Sequence, residues 1–355
     1  MILCAAGDPG GSRVVLPVML ELERRGLPCR ILDHGYLGRE LPARLRPLLI
    51  PDGDAGAVLE EAACYVFGSS ASDARPLGLA RAARASGLPV AHILDNWSGY
   101  ASRLEHDGLG RLTPDIYAVM DEEAKLGAIA DGVPEECLRI TGHPGLGELT
   151  GIVRLRREAG AARRKRYDLP EGKLHLVFVN EPLRQVLGHD IAGERHCGFT
   201  EDQVLALWAR SLQAVRDRVF ATILPHPKDD PRELAESWSA VRGGVPGRVM
   251  RLPKGREILS AADAVAGMAS ILLYDSWLLG LPTLALQPGV RQEPIRRFSR
   301  LPGLHYADSG AGVDGAVRAW LSEADSGSAA LPRQELQFHL QAPARIAKLI
   351  GELLK

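Results

Sequence analysis

Three stretches place chemically capable side chains at strand-to-helix turns. The first runs Gly267-Met268-Ala269-Ser270, then the apolar segment Ile271 to Leu279, then Gly280-Leu281-Pro282. Apolar runs flank it, Ala264-Val265-Ala266 before and Thr283 to Leu286 after. The pattern reads as strand, small-residue turn, helix, strand. Free N–H groups and the positive dipole end at such a helix start favour phosphate. Met268, Ala269 and Ser270 are therefore candidate phosphate contacts. Asp275, one to two turns further in, is a candidate acceptor of ribose hydroxyls. The competing reading is an ordinary βαβ unit with a solvated Asp.

The second stretch is Asp95-Asn96-Trp97-Ser98-Gly99-Tyr100-Ala101-Ser102-Arg103, directly after the apolar run Val90 to Leu94. Open α/β sheets bind ligands at the carboxyl ends of their strands, and binding groups concentrate on such loops. Asp95 is a candidate general base toward a hydroxyl, and Asn96 lies beside it. Trp97 and Tyr100 could stack on a sugar face, and Arg103 could pair with a carboxylate or phosphate. The alternative is a surface loop with Trp97 tucked into a domain interface. The third stretch, Pro225-His226-Pro227-Lys228, follows the strand-like Phe220 to Leu224. A histidine between two prolines is held in one orientation. It could reach a diphosphate or give a proton to a leaving oxygen, with Lys228 adding positive charge. A structural His in a tight turn is the alternative.

These stretches need a scaffold, and the hydrophobic pattern supplies one. Ile2 to Ala6 reads as a strand ending in Gly7-Asp8-Pro9-Gly10-Gly11-Ser12. Val14, Val15, Val18, Met19 and Leu22 then recur at helical spacing up to Gly26, and Pro28 to Asp33 is a second strand. Strand, glycine turn, helix, strand opens a doubly wound α/β domain. Gly7, Gly10 and Gly11 do not form the G-x-G-x-x-G of a dinucleotide site, although Asp33 stands where a ribose-binding acid would. A tight turn that brings Gly10, Gly11 and Ser12 close to a substrate fits better, beside a turn that only permits close packing. Further strands are expected over Ala62 to Phe67, Val90 to Leu94, Pro114 to Met120 and Cys137 to Ile140. The Gly68 to Asp73 loop suits a ligand-facing role or the cap of a Pro76 to Ser86 helix.

The pattern restarts at Leu174 to Val179. Strands follow at Phe220 to Leu224, Gly247 to Leu252, Asp263 to Ala266, Thr283 to Leu286 and Leu304 to Ala307. An amphipathic helix over Glu201 to Val215 lies among them. A length of 355 residues also favours two domains. Boundaries are expected at 1–150, a linker at 151–172, a second domain at 173–332 and a C-terminal helix at 333–355. The linker carries Arg154, Arg156, Arg157, Arg163, Arg164, Lys165 and Arg166. It reads as a solvated basic helix that could also touch phosphate or anionic lipid.

Net charge is −1, which gives no electrostatic footprint for nucleic acid. The five cysteines are scattered without a CxxC, which fits a reduced cytoplasmic protein better than a disulfide framework or zinc site. His189, Glu194, His196 and Cys197 have suitable ligand types, but their spacing matches no metal template. No metal or bound cofactor is expected, no apolar run is long enough to span a membrane, and the oligomeric state is not readable.

Thr141-Gly142-His143-Pro144 after the sixth expected strand resembles the junction between the two domains of GT-B-fold enzymes. These include UDP-N-acetylglucosamine 2-epimerases, MurG-type transferases and surface-polysaccharide glycosyltransferases. His92-Ile93-Leu94-Asp95-Asn96-Trp97 occupies the slot of the epimerases' H-V-E-A-G-L-R stretch, with the acid one place later and the glycine absent. Pro225-His226-Pro227 resembles the His-Pro motif of polysialyltransferase-like enzymes and the strand-end His of the epimerases. Asp275 stands five positions before Gly280-Leu281-Pro282, as the family's ribose-binding acid does, although the family usually has Glu and a Ser/Gly-rich turn.

The resemblance implies two Rossmann-like domains facing across a cleft, with a terminal helix near Gln334 to Leu354 packed back on the first. It implies a nucleotide sugar of UDP, CMP or CDP type on the second domain and a small-molecule or glycan acceptor on the first. His143 at the junction, and Glu181 and Arg184 in the Asn180 to Arg184 loop, become candidates through it. The function it implies is metal-independent glycosyl transfer, with Asp95 as base and His226 and the Ser270 helix end steadying the departing diphosphate. The alternatives are epimerisation or hydrolysis of a nucleotide sugar through Asp95, Glu181 and His226, or non-catalytic binding.

Overall fold

The computed structural model describes residues 1–39, 41–68, 73–105, 108–193, 196–293, 295–327 and 331–355. The chain divides into two units, Met1–Gly147 with Glu335–Lys355, and Glu148–Gln334. The first contains β1 (Ile2–Ala5), α1 (Pro9–Arg24), β2 (Cys29–Asp33), α2 (Gly35–Arg39), β3 (Leu49–Pro51), α3 (Ala55–Glu61), β4 (Cys64–Gly68), α4 (Arg75–Ala85), β5 (Val90–Ile93), β6 (Ile116–Val119), α5 (Glu122–Ala130) and β7 (Leu138–Ile140). The second contains α6 (Leu149–Arg156), α7 (Gly160–Arg166), β8 (Leu174–Val179), α8 (Leu183–Leu187), α9 (Glu201–Ser211), β9 (Val219–Leu224), α10 (Pro231–Val241), β10 (Gly247–Val249), β11 (Ala264–Gly267), α11 (Ile271–Leu278), β12 (Thr283–Leu286), β13 (His305–Ala307) and α12 (Val313–Asp325). Helices α13 (Gln334–Leu340) and α14 (Ala342–Leu353) end the chain.

The strand order is β3-β2-β1-β4-β5-β6-β7 in one sheet and β10-β9-β8-β11-β12-β13 in the other. All pairings are parallel. Counted within its own unit, each sheet starts 3-2-1-4-5-6, the doubly wound Rossmann order. The chain therefore has two Rossmann-like units of a GT-B-type fold. Helices cover both faces of such sheets. Strands such as β1, β5, β11 and β12 are accordingly buried at every position rather than alternately.

Strand β3 has no counterpart in the expected elements. Three residues ending in Pro51 are too short for a periodic signal, and proline is tolerated there because β3 is an edge strand. The basic segment also differs from expectation. It forms two short helices, and its arginines are partly engaged by the second unit itself. Arg156 donates to the Leu259 and Ala262 carbonyls, Arg163 to that of Ser260, and Arg164 lies 3.3 Å from Asp263. Among the described residues no helix is long and apolar enough to cross a membrane. All five cysteines are buried and free.

The core of the first unit joins Val14, Val15, Val18, Met19 and Leu22 of α1 to Ile346, Ala347 and Ile350 of α14. The last helix thus belongs to the first unit's core. Two polar ties fasten it: Arg345 Nε donates to the Thr141 carbonyl at 2.8 Å, and the His143 N–H donates to His339 Nδ1 at 3.0 Å. In the second unit Trp208 packs between Phe178 and Trp238, with ring centroids 4.9 and 6.0 Å away. Ile346→Ala should destabilise the protein by about 2–5 kcal/mol through the cavity it leaves, read as a lower midpoint in urea denaturation.

Candidate functional site

At the carboxyl edge of the first unit's sheet, the glycine turn is shaped by carboxylates. Asp8 caps α1, its Oδ1 accepting from the Gly11 N–H at 2.7 Å. The Ser12 hydroxyl donates to the Asp8 carbonyl at 2.7 Å and is buried. The N–H of Gly11 and the hydroxyl of Ser12, both expected to meet substrate, are engaged within the chain. Gly10 has a different reason to be glycine. A Cβ there would lie 2.0 Å from Asp95 Oδ2, so the turn leaves room for that carboxylate. Asp95 in turn lies 2.6 Å from Arg103 Nη1, with both side chains about nine-tenths covered. Burial pushes its carboxyl up to about 6. Asp8 acts in the same direction, while Arg103 and Arg13 oppose the shift. Arg13, on the first turns of α1, was not among the expected site residues.

The loop after Asp95 turns its aromatic rings inward. Trp97 is buried, donates from Nε1 to Asp121 Oδ2 at 2.7 Å, and stacks on His143 at 5.8 Å. Tyr100 is buried, its carbonyl accepts from the Tyr117 hydroxyl, and its ring fills the space a side chain at Gly127 would need. Neither ring is a platform for a sugar. Asn96 is exposed, and its Oδ1 accepts from the Trp97 N–H. His143 is also internal. Its Nδ1 accepts from the Gly145 N–H at 3.1 Å, so the neutral ring carries its proton on Nε2, which faces the Asp95 carbonyl at 3.1 Å. Its part is to hold the backbone of Asp95. The Ser69 to Ser72 part of the expected ligand-facing loop lies outside the described residues.

In the second unit the anticipated phosphate turn carries an anion from the chain itself. Glu181 Oε2 accepts from the Ala269 N–H at 2.6 Å, and the Ser270 N–H also reaches this carboxylate. Ser270 caps α11, its Oγ accepting from the Leu272 N–H at 3.3 Å. Met268 has its side chain in the core, and its carbonyl accepts from Gln287 Nε2. The Met268 side chain therefore faces away from the turn, and the Ala269 amide expected to meet phosphate is already satisfied by Glu181. Burial pushes the Glu181 carboxyl up to about 7, Asp229 adds to that, and the two amides pull the other way. The result is a carboxyl that can hold or release a proton near neutrality.

His226 stands at the end of β9 in a turn fastened from several sides. Asp229 Oδ2 accepts from the His226 N–H at 2.7 Å and from Asn180 Nδ2 at 2.9 Å. Arg251 donates to the Pro227 and His226 carbonyls at 3.4 Å and to that of Asp229 at 2.5 Å. The Lys228 N–H donates to His226 Nδ1 at 3.2 Å, which leaves Nε2 as the protonated nitrogen of the neutral ring. Burial lowers the proton affinity of this half-buried ring, and Asp229 partly offsets that. Lys228 is exposed. Asp229, Asn180 and Arg251 were not anticipated. The only local signal was the density of polar residues around Pro225-His226-Pro227.

Two further expectations are corrected by partners distant in sequence. Asp275 is fully buried, and Arg256 Nε approaches its Oδ2 at 2.5 Å while Arg256 Nη1 reaches Glu148 at 2.8 Å. A carboxylate inside α11 with an arginine on it is not offered to ribose hydroxyls. Arg184 is likewise engaged, 3.1 Å from Glu201 and 2.7 Å from Asp202 at the start of α9. Of the His189 to Cys197 segment, His189 is exposed, His196 and Cys197 are buried, and Glu194 lies outside the described residues.

No protein-family model and no curated protein sequence matches the chain. Solved structures do. A UDP-GlcNAc 2-epimerase from Methanocaldococcus jannaschii is 12% identical, with a TM-score of 0.68 over 99% of each chain. One from Neisseria meningitidis, bound to UDP-GlcNAc, is 11% identical, with a TM-score of 0.65 over 99% of each. A glycosyltransferase from Rickettsia africae ESF-5 is 12% identical, with a TM-score of 0.62 over 100% of this chain and 98% of that one. At these identities the likeness is one of fold.

The site geometry makes two predictions. A carboxyl whose proton affinity is raised on folding destabilises the native state above that pKa, and the penalty fades as pH falls toward the unfolded value. Glu181→Gln should therefore raise the melting temperature at pH 8, with most of the gain gone at pH 5. Arg256→Ala should lower stability by about 3–5 kcal/mol by leaving Asp275 buried without its cation, measurable by chemical denaturation.

Proposed function

We propose that the chain is an enzyme acting on nucleotide-activated sugars, and that its chemistry is proton transfer by Glu181 in the second unit. The observation that carries this is the Glu181 carboxyl itself, held by backbone N–H groups at the start of α11 with a pKa raised to about 7. A general acid or base works best with a pKa near the operating pH. His226 Nε2–H and the exposed Lys228 supply donors and charge for the diphosphate, while Asp229 and Arg251 keep the turn in place.

Among reactions on such a substrate we favour epimerisation or hydrolysis over transfer. Neither needs an acceptor, and the fold is shared with UDP-GlcNAc 2-epimerases. Transfer is the second reading, supported by Asp95, whose raised proton affinity suits a base toward a hydroxyl. In both readings the second unit takes the nucleotide sugar and the first unit takes uncharged hydroxyl groups. The first unit's turn is ringed by Asp8, Asp73 and Asp95, which would repel phosphate.

Incubation with UDP-GlcNAc in deuterated water, followed by proton NMR, separates these reactions. Epimerisation should invert C2 and bring deuterium to it, and hydrolysis should release UDP with no acceptor present. Glu181→Gln should slow either by about 10²–10⁴-fold. UDP release that strictly requires an added sugar hydroxyl would move the assignment to transfer. Absence of both turnover and binding would remove the nucleotide-sugar reading.

A further inference from the structure

A histidine that none of the readings above employs stands at the same sheet edge of the first unit. His34 follows β2, and its Nε2 lies 2.6 Å from Asp73 Oδ2, which follows β4. The other ring nitrogen, Nδ1, is 3.8 Å from Asp52 Oδ2, beyond hydrogen-bonding distance. Arg75 at the start of α4 organises both acids. Its N–H donates to Asp73 Oδ1 at 3.0 Å, and its guanidinium reaches Asp52 Oδ1 at 2.7 Å. The His34 and Asp73 side chains are each a quarter exposed, so solvent-borne groups can reach the pair.

Two glycines make this arrangement possible. A Cβ on Gly7 would lie 1.6 Å from Asp73 Oδ2, so the carboxylate sits directly over the β1–α1 turn. Gly35, next to His34, has φ +59, and a Cβ there would lie 2.3 Å from the Gly7 carbonyl oxygen. That carbonyl accepts from the Tyr36 N–H at 2.8 Å, which fastens the His34 loop to the same turn. Only glycine at both positions lets the imidazole and the carboxylate meet there.

We propose that His34 and Asp73 form a second acid–base site, in which His34 Nδ1 takes the proton of a hydroxyl group, sugar or water, bound at the carboxyl edge of the first unit's sheet. Asp73 is the positioning residue. It fixes the tautomer with the proton on Nε2 and leaves the Nδ1 lone pair on the side of Asp52, 3.8 Å away, the logic of a histidine oriented by a carboxylate. In the step itself the O–H proton passes to Nδ1 and the oxygen keeps the bonding electron pair. Nε2–H stays hydrogen-bonded to Asp73, and the imidazolium returns the proton to water after turnover. The charged groups facing the ring are Asp73, Asp52 and, through both acids, Arg75. An anionic ligand is disfavoured by the same acids, which confines the site to neutral hydroxyl compounds.

This assignment rests on the reading that the chain turns over nucleotide sugars, and the experiment separates the two. Turnover of UDP-GlcNAc, as UDP release and as inversion at C2, is measured for wild type, His34→Ala, His34→Gln and Asp73→Asn, with and without a mixture of N-acetylglucosamine and lactose. His34→Ala should lose about 10²–10⁴-fold in rate while keeping its melting temperature and its UDP affinity. Added imidazole should restore part of the rate to His34→Ala but not to His34→Gln, where the side chain fills the space. Asp73→Asn should lower kcat while keeping the melting temperature and the UDP affinity, because the ring loses the acceptor that orients it. Loss that depends on the added sugars identifies a sugar hydroxyl as the proton donor, and loss without them identifies water. Wild-type turnover in His34→Ala overturns the proposal alone. So does a loss that tracks stability and shows no imidazole rescue, because His34 would then only tie the loops. A wild type that neither releases UDP from UDP-GlcNAc nor inverts its C2 under either condition, and does not bind it, overturns the nucleotide-sugar reading, and this assignment with it.

Discussion

The hydrogen bonds from the start of α11 to Glu181 are the interaction on which the placement of the second unit's buried carboxyl depends. A helix start offers N–H groups that need an acceptor, and it favours negative charge. Here the acceptor is a carboxylate from the end of β8, the strand paired directly with β11. The pairing of these two central strands therefore sets the distance between the acid and the amides. The amides stabilise the carboxylate, burial and Asp229 oppose it, and burial wins. A carboxyl held between such opposing influences is one that changes protonation with little driving force.

The first unit solves a related problem with glycine. Its β1–α1 turn has the composition of a phosphate-binding loop, yet its first free amides meet Asp8, and two more carboxylates, Asp73 and Asp95, crowd the turn. Gly7 and Gly10 are small because those acids occupy the space a Cβ would take. A glycine turn at the first strand of a Rossmann-like unit is thus not in itself evidence for phosphate. What the glycines admit decides the ligand, and here they admit negative charge. The two units share strand order while presenting different electrostatic edges: acids over the turn in the first, and His226, Lys228 and a neutralisable Glu181 in the second.

Strand and helix positions were legible because they follow from local periodicity. The continuous apolar strands and the three- and four-residue spacing of Val14 to Leu22 are short-range signals, and the Rossmann order follows from the β–α alternation. Partnerships were not legible. Trp97 meets Asp121 across 24 residues, and His34 meets Asp73 across 39. Nothing in the local pattern of either residue marks the other. Trp97 and Tyr100 look like a sugar platform in a list of residues, but indole and phenol rings beside a sheet edge bury large apolar area when they turn inward. Asp275 misled for the opposite reason. Its spacing before Gly280-Leu281-Pro282 is the family's, but Arg256 is far away in the chain, and its pairing decides what the acid can do.

That pairing also explains how a charged residue survives in α11 at all. An isolated carboxylate at zero exposure would be neutralised or would unfold the helix. Arg256 prevents both, and it is itself bonded to Glu148, which is largely exposed. The guanidinium therefore carries the electrostatic contact from water to the interior of the helix. Burying such a pair gives little net stability compared with apolar residues of equal volume. Its value is positional, because the fork of Arg256 makes contacts of fixed geometry with both Asp275 and Glu148. Ser270 caps the same helix, four residues before Tyr274 and five before Asp275, so the register of α11 is constrained at its start and at its middle. The amides that hold Glu181 lie at that constrained start. A slip of the helix would withdraw them, and the ion pair that looked like a ribose site instead keeps the Glu181 carboxyl of the second unit in place.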